Sequence, residues 1–476
     1  MSEAHATLTC GRATCSAKPG WSGLAWPSNT PALATTILFF GGTLFTTDIA
    51  RAGSGFLLRS QSATTLGTAQ AGMSTNSEDA SGMVFNPALL GDLKARQFSV
   101  GGTPIFLRGH FEPTSASTVL GTPISGNDGG SPSDAGYPFN LYIATPLSNG
   151  FSAGIALTSL YGLGFEYDSG WVGRYHAGKS ELLSLDLVPA VAYKSGAFSL
   201  GIGLDVKYAG AKTTTAIDFG TVAFAASGGA LGVPAGNDGA LSTNLDGWRV
   251  GAIVGMTYQP SESGDTRLGI SYRSKVKSVL TGDATFDTGG AAGQTVAALS
   301  GQFTGTSARA PLTFPAAVIA GIDQKLPGKW RLLADVQWTQ WSSLNQLNLS
   351  FGNPLQQPII TDLRWRDSWY LGVGLRYEYD SQWVLRMGMA YDQTPTRRET
   401  STPAIPDADS VWLTVGAGYK FDDKTKLDFA YGHIFVRDNP IALQASALGN
   451  AARGSLNGTI GGSAVDFFSL QISYKF

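Results

Sequence analysis

The chain has 476 residues, 61 of them Gly, and only 14% carry a charged side chain; average usage is about 7% Gly and ~25% charged. A formal net charge of −2 gives no argument for nucleic-acid binding. Beyond the N-terminal region no stretch reaches the ~18 continuous apolar residues of a membrane helix, so an apolar, aromatic-rich chain is left without helical spans.

The first element is an apolar run from Ala32 through Phe45, which includes Ile37-Leu38-Phe39-Phe40 and is followed by Ala50-Arg51-Ala52. A short apolar run closed by an A-x-A pattern reads as a secretory signal, cleaved after Ala52. Residues 1–52 are assigned to a signal peptide with an extended N-terminal region that carries Arg12, Lys18 and both cysteines, Cys10 and Cys15. The mature chain then has no Cys, so neither a disulfide nor thiol chemistry is open to it. Residues 53–95 come next. They are rich in Ser, Thr, Gly and Ala and show no alternation.

From residue 96 the pattern switches to period 2, as in a strand with two unlike faces. Alternating runs lie near 96–108, 138–148, 151–166, 183–195, 197–210, 248–259, 266–276, 312–325, 330–342, 368–379, 383–394, 410–421, 425–437 and 464–476. Tight turns such as Ser148-Asn149-Gly150, Pro327-Gly328-Lys329 and Asp422-Asp423-Lys424 alternate with long polar connections at 109–137, 211–247, 277–311 and 438–463. A barrel with short periplasmic turns and long outer loops requires that alternation, and an even strand number returns both ends to the periplasmic side. The predicted fold is all-β: a 14-stranded antiparallel transmembrane β-barrel over 96–476, plugged by an N-terminal hatch over 53–95. A soluble Greek-key sandwich would not alternate short and long connections so regularly.

Aromatic spacing supplies a length check. Trp330 and Trp338 lie eight apart on one face, as do Trp383 and Tyr391. Eight residues at ~3.3 Å, tilted by ~40°, span roughly 20 Å, which fits rings at the two borders of a ~25 Å apolar band. The opposite parity is polar, with Asp205, Lys207, Asp335, Arg376, Glu378, Arg386 and Asp392. Unpaired charges are costly in lipid, so these are expected to pair inside the lumen or with the hatch. The last nine residues alternate strictly and end on Phe476. A closing barrel strand ends this way, and Phe476 is expected to be the signal read by the barrel-assembly machinery.

No site chemistry emerges. Of the four His, His5 precedes the mature start, His110 and His176 fall in predicted loops, and His433 follows the lipid-facing parity of Leu427, Phe429 and Tyr431. Neither a metal-spaced cluster nor a nucleophile motif appears. No catalytic residue, metal or cofactor is expected, and an outer-membrane hydrolase is the disfavoured enzyme alternative. A general diffusion porin is the structural alternative, against which a hatch argues.

The motifs resemble one family. SEDASGMVFNPALL before the first strand, LTSLYGLGFEY on the third, and VGRYHAGKSELLSLDLVPAVAY are followed by YAGAK and RLGISYRSKVK. LTFPAAVIAGIDQKLPGKWRLLADVQWTQWSS, DSWYLGVGLRYEY, LRMGMAYDQTP and IPDADSVWLTVGAGYKF complete a colinear series. Together they resemble the FadL/TodX family of outer-membrane transporters of hydrophobic substrates. The resemblance implies a fourteen-strand barrel with an N-terminal hatch, in the outer membrane of a Gram-negative bacterium. It further implies capture of long-chain fatty acids or similar molecules in an apolar lumen pocket, and sideways release where the third strand kinks inward.

Residue by residue, the resemblance assigns Phe56 to the pocket, Asn86, Pro87 and Ala88 to the hatch, and Tyr161, Gly162 and Leu163 to the lateral gate. Fatty-acid-transporting relatives place bases near the pocket. The matching stretches here, Thr213 to Asp218 and Pro358 to Leu363, contain none, although Lys212 and Arg364 adjoin them. Lys212 and Arg364 are therefore the candidate carboxylate partners, and an uncharged aromatic or aliphatic hydrocarbon is the alternative cargo. The expected partners are hydrophobic small molecules, outer-membrane lipid and the assembly machinery, with no nucleic acid. The barrel is expected to be a monomer that transports down a gradient, since no energy-coupling motif lies near the mature N-terminus.

Overall fold

In the computed structural model the described residues are 55–476, apart from 133, 134 and 262; the signal-peptide reading over 1–52, with Cys10 and Cys15, lies outside them. Among the described residues one antiparallel sheet closes on itself through fourteen wall strands. The first (Gln97–Gly102, continued by Ile105–Ser117) pairs with the second (Phe139–Pro146) and with the last (Ser455–Lys475). The third is Phe151–Thr158 continued by Gly162–Glu166, the fourth Lys179–Ser195, the fifth Phe198–Asp218 and the sixth Asp238–Tyr258. Each wall strand from there to the last again pairs with its chain neighbour. Closure removes the sheet edge, so backbone polar groups in lipid find partners within the wall.

Burial along each strand is the reverse of a soluble protein's. On the last strand Leu470 is 54% exposed while Gln471 is 2% exposed. On the eleventh (Trp383–Asp392), Met389 is 57% exposed and Arg386 4%. Apolar side chains therefore cover the outside and polar ones the inside, which is stable only with hydrocarbon around the wall. Trp330, Trp383 and Tyr391 all face outward, as the aromatic spacing anticipates. The tight turn after the second strand is closed by Leu147 N–H to Phe151 O (2.7 Å), with Asn149 and Gly150 both at positive φ. That is the backbone twist which favours such residues in two-residue hairpins.

Residues 57–95 are buried almost without interruption against the inner face. A short helix (Ala63–Leu66) and two 3-10 turns (Ala80–Val84 and Pro87–Asp92) give the segment little regular structure. It is held by the inward charges. Arg59 meets Asp392 (3.3 Å) and stacks over Tyr370 (3.8 Å), and Asp335 accepts from the Ser74 backbone (3.0 Å) and hydroxyl (2.6 Å). Glu78 takes Arg376 (3.0 Å), Arg386 (2.6 Å) and Lys426 (2.7 Å) at once. Glycines on the wall's inner face admit the segment. A Cβ at Gly201 would collide with the Pro87–Ala88 peptide, and one at Gly255 with the Asn86 side chain.

Candidate functional site

Where the wall rises beyond that segment, its inner face changes from charged to apolar. Here lies a cavity of about 540 Å³, lined by Phe56, Leu163, Leu245, Leu280, Leu312 and Leu349 among others. That volume is within the ~300–1,000 Å³ range of small-molecule sites. Its floor is an aromatic cluster. Phe56, 1% exposed, meets Trp341 edge-on at 4.8 Å and Tyr161 at 5.8 Å, and Tyr161 meets Phe314 at 4.8 Å. Phe56 is held in place because Gly55, at positive φ, donates its N–H to Asp407 (2.9 Å).

The third strand breaks beside this floor. Its lower segment pairs with the second strand up to Leu141↔Leu157 and with the fourth up to Thr158↔Asp186. Ser159 to Tyr161 then turn inward: Leu58 N–H donates to Leu160 O (2.9 Å), and Gly162 N–H donates to Phe56 O (2.9 Å). The upper segment resumes with Gly162↔Leu183 on the fourth strand, with no ladder to the second. The freed amides are satisfied from the neighbouring strand. Tyr161 N–H donates to Ser184 Oγ (2.9 Å) and Leu160 N–H to an Asp186 carboxylate oxygen (3.0 Å).

Two expectations about charge need correction. Lys212 is exposed, one residue out of phase with the cavity-lining Ala211, Thr213 and Thr215, so period 2 turns it outward. Arg364 is 58% exposed and pairs with Asp362 at 2.9 Å; its positive φ carries it out of the Pro358–Thr361 face that does line the cavity. The two quoted stretches meet in the cavity, but their flanking bases do not. The cavity's cation is Arg453, on the loop between the thirteenth strand (Thr425–Val436, continued by Asn439–Leu443) and the last. Nothing in its sequence context marks it. Burial pushes Arg453 down to about 10, which leaves it charged at neutral pH. Burial also pushes the neighbouring His176 down to about 3, and the Arg453 charge adds to the shift, so His176 is neutral.

The remaining assigned residues fall as follows. Asn86 caps the second 3-10 turn, accepting from Ala88 N–H (3.1 Å) and donating to Ser74 O (2.9 Å), and Pro87 opens the turn. Tyr161 and Leu163 are buried beside the break, and Leu163 lines the cavity. The break itself is at Ser159–Tyr161, and Gly162 is where pairing restarts. Phe476 is exposed at the closing seam, its N–H donating to Arg96 O (3.0 Å). His433 pairs with Asp466 at 2.8 Å on the outer parity. Among the described residues no cluster of metal-ligating side chains occurs.

A family profile described as "Outer membrane protein transport protein (OMPP1/FadL/TodX)" matches residues 43–476. The chain belongs to this family. It is 28% identical over 397 residues to the long-chain fatty acid transport protein of Escherichia coli O6:H1, covering 79% of this chain and 85% of that one. It is 29% identical over 433 residues to outer membrane protein P1 of Haemophilus influenzae, covering 85% and 90%. Among solved structures, a Pseudomonas aeruginosa FadL homologue superposes with a TM-score of 0.81 at 25% identity, covering 89% of this chain and all of that one. The Pseudomonas putida toluene transporter TodX superposes at 0.65 with 19% identity, over 89% and 100% of the two chains, a likeness of fold. The protein is an outer-membrane barrel of Gram-negative bacteria that transports hydrophobic molecules, and family members are transporters or channels, not enzymes.

Proposed function

We propose that the protein takes long-chain fatty acids or similar hydrophobic molecules from outside, holds them in the apolar cavity, and releases them sideways at the third strand. Residues 53–95 act as the hatch, fixed by Asn86, Pro87 and Ala88. Phe56 forms the pocket floor, Tyr161, Gly162 and Leu163 border the exit, and Phe476 serves barrel assembly. The observation that carries this reading is the loss of pairing between the second and third strands above Leu157, next to the cavity-lining Leu163. Moving apolar area from a pocket into water is unfavourable by ~25 cal/mol per Å². A long acyl chain therefore leaves at least cost through the wall into lipid. Gly162→Arg should abolish uptake of labelled oleate by cells while the purified variant still binds ligand and runs as a heat-modifiable barrel. Normal uptake by that folded variant would overturn lateral release.

An uncharged hydrocarbon is the second reading for the cargo. The outward positions of Lys212 and Arg364, the two bases that adjoin the lining stretches in sequence, favour it.

A further inference from the structure

Arg453, half-buried at the cavity wall, stands apart from the other inward-facing cations of the molecule. Lys207 meets Asp186 and Asp205, Arg273 meets Asp205, and Arg386 meets Glu78 and Asp428. Among the described residues no carboxylate pairs with Arg453, whose guanidinium makes a single hydrogen bond, from Nη1 to Thr361 Oγ1 at 3.3 Å. Glu181, the one carboxylate lining the same cavity, is taken by Lys179 at 2.9 Å. His176 is 6% exposed, and its Nε2 has no hydrogen-bond partner. Held neutral, His176 cannot serve as a second cation.

The position of Arg453 is built rather than incidental. Its loop is wound into a turn by Arg453 N–H to Asn450 O (2.8 Å) and Gly454 N–H to Asn450 O (2.9 Å). Gly449 and Gly454 flank the turn at φ of 82° and 78°. A Cβ at Gly449 would collide with Ile360 O, and one at Gly454 with Ser117 O. The loop backbone therefore sits directly on the Ile359–Asp362 segment of the wall and aims Arg453 at the cavity beside Thr361. A half-buried guanidinium with no carboxylate beside it gains a charge-assisted bond when a carboxylate enters the cavity.

We infer that Arg453, steadied by Thr361, is the anchor for a single anionic carboxylate head whose apolar tail fills the cavity down to Phe56. This rests on the proposed function and settles its cargo in favour of a fatty acid over a hydrocarbon. It also fixes polarity. The head is held by an outer loop and the tail lies at the floor, beside the break in the third strand, so the acid enters lipid tail-first.

The test is equilibrium binding of radiolabelled oleate and methyl oleate to the purified full-length barrel in detergent, as wild type, Arg453→Gln and Arg453→Lys. The two ligands differ in charge and share the tail. A lost hydrogen bond to a charged group corresponds to roughly tenfold or more in affinity. Arg453→Gln should weaken oleate by about that factor and leave methyl oleate unchanged, and Arg453→Lys should recover part of the loss. Methyl oleate binding also reports that each variant is folded. Equal oleate affinity in wild type and Arg453→Gln, or equal losses for both ligands, would overturn the anchor and leave the transport reading intact. Wild type that binds neither ligand would overturn the proposed function itself.

Discussion

His176 is buried in the turn that precedes the fourth strand, and burial pushes its pKa to about 3, with the Arg453 charge as the next cause and a backbone bond to Gly454 opposing. The unfolded value is ~6.5. The unfolded chain therefore gains a proton as pH falls below ~6.5 while the folded one does not, and stability from the neutral ring is lost progressively towards pH 3. Amide exchange in residues 171–178, corrected for intrinsic rates, should rise between pH 7 and pH 5, and His176→Gln should remove that rise. Exchange in the wild type that follows intrinsic chemistry alone would rule out this role. The same corner marks where the sequence was legible. Phe56 and the two lining stretches could be placed from family motifs. That Lys212 faces away also follows from period 2, once Ala211 and Thr213 are known to face in. Arg453 could not be found, because its loop has no periodicity and its partner Thr361 is 92 positions away.

At the scale of elements, the fourteen strands were legible because lipid outside and polar side chains inside write an alternating pattern. Break and plug differ in this respect. The run 151–166 alternates as if it were one strand, yet Ser159 to Tyr161 leave the wall to bond Phe56 and Leu58, a long-range pairing with no local signal. Ser184 and Asp186 stabilise the kink. Ser184 Oγ accepts from Tyr161 N–H at 2.9 Å and donates to Asp186 at 2.6 Å, with both side chains fully buried. The broken pairing thus has hydrogen bonds of its own in place of the missing ladder. Ser184→Ala should leave the buried Tyr161 amide unpaired and destabilise the barrel by about 1–3 kcal/mol. Urea unfolding monitored by gel mobility measures this. An unchanged midpoint would mean that another group satisfies the amide. The loops 211–247 and 277–311 also differ from expectation. Much of each is strand, since the fifth strand runs to Asp218, the sixth begins at Asp238 and the seventh extends through Val276–Asp287. Twenty-one residues at ~3.3 Å exceed the 9–11 that a membrane strand needs. Beyond the lipid the outward face is wet, so the apolar half of the alternation disappears although the strand continues.

For the whole molecule, ion pairs join the wall to residues 55–95, the proposed hatch. The inward charges at Asp335, Arg376, Arg386 and Asp392 were readable as lumen-facing, and each meets the 55–95 segment. Glu78 is central to the plug's attachment, since it alone engages Arg376, Arg386 and Lys426. Burial opposes its charge, but those three cations outweigh burial and hold its carboxyl well below the usual range. A depressed carboxyl pKa stabilises fully above the unfolded value of ~4.3 and is lost only as pH falls through the lower folded value, so the attachment is complete at neutral pH. Removing one member of a buried ion-paired group leaves uncompensated charge and costs about 3–5 kcal/mol. That loss is borne at the plug, whose short helix and two 3-10 turns supply little stability of their own. Wild type in planar bilayers should therefore stay essentially non-conducting, and Glu78→Ala should show intermittent openings with the barrel still heat-modifiable. Acidification through that lowered folded value, well below the usual carboxylate range, should produce the same openings in the wild type. A Glu78→Ala barrel as silent as the wild type would show that the hatch is held by Arg59 and Asp335 without it.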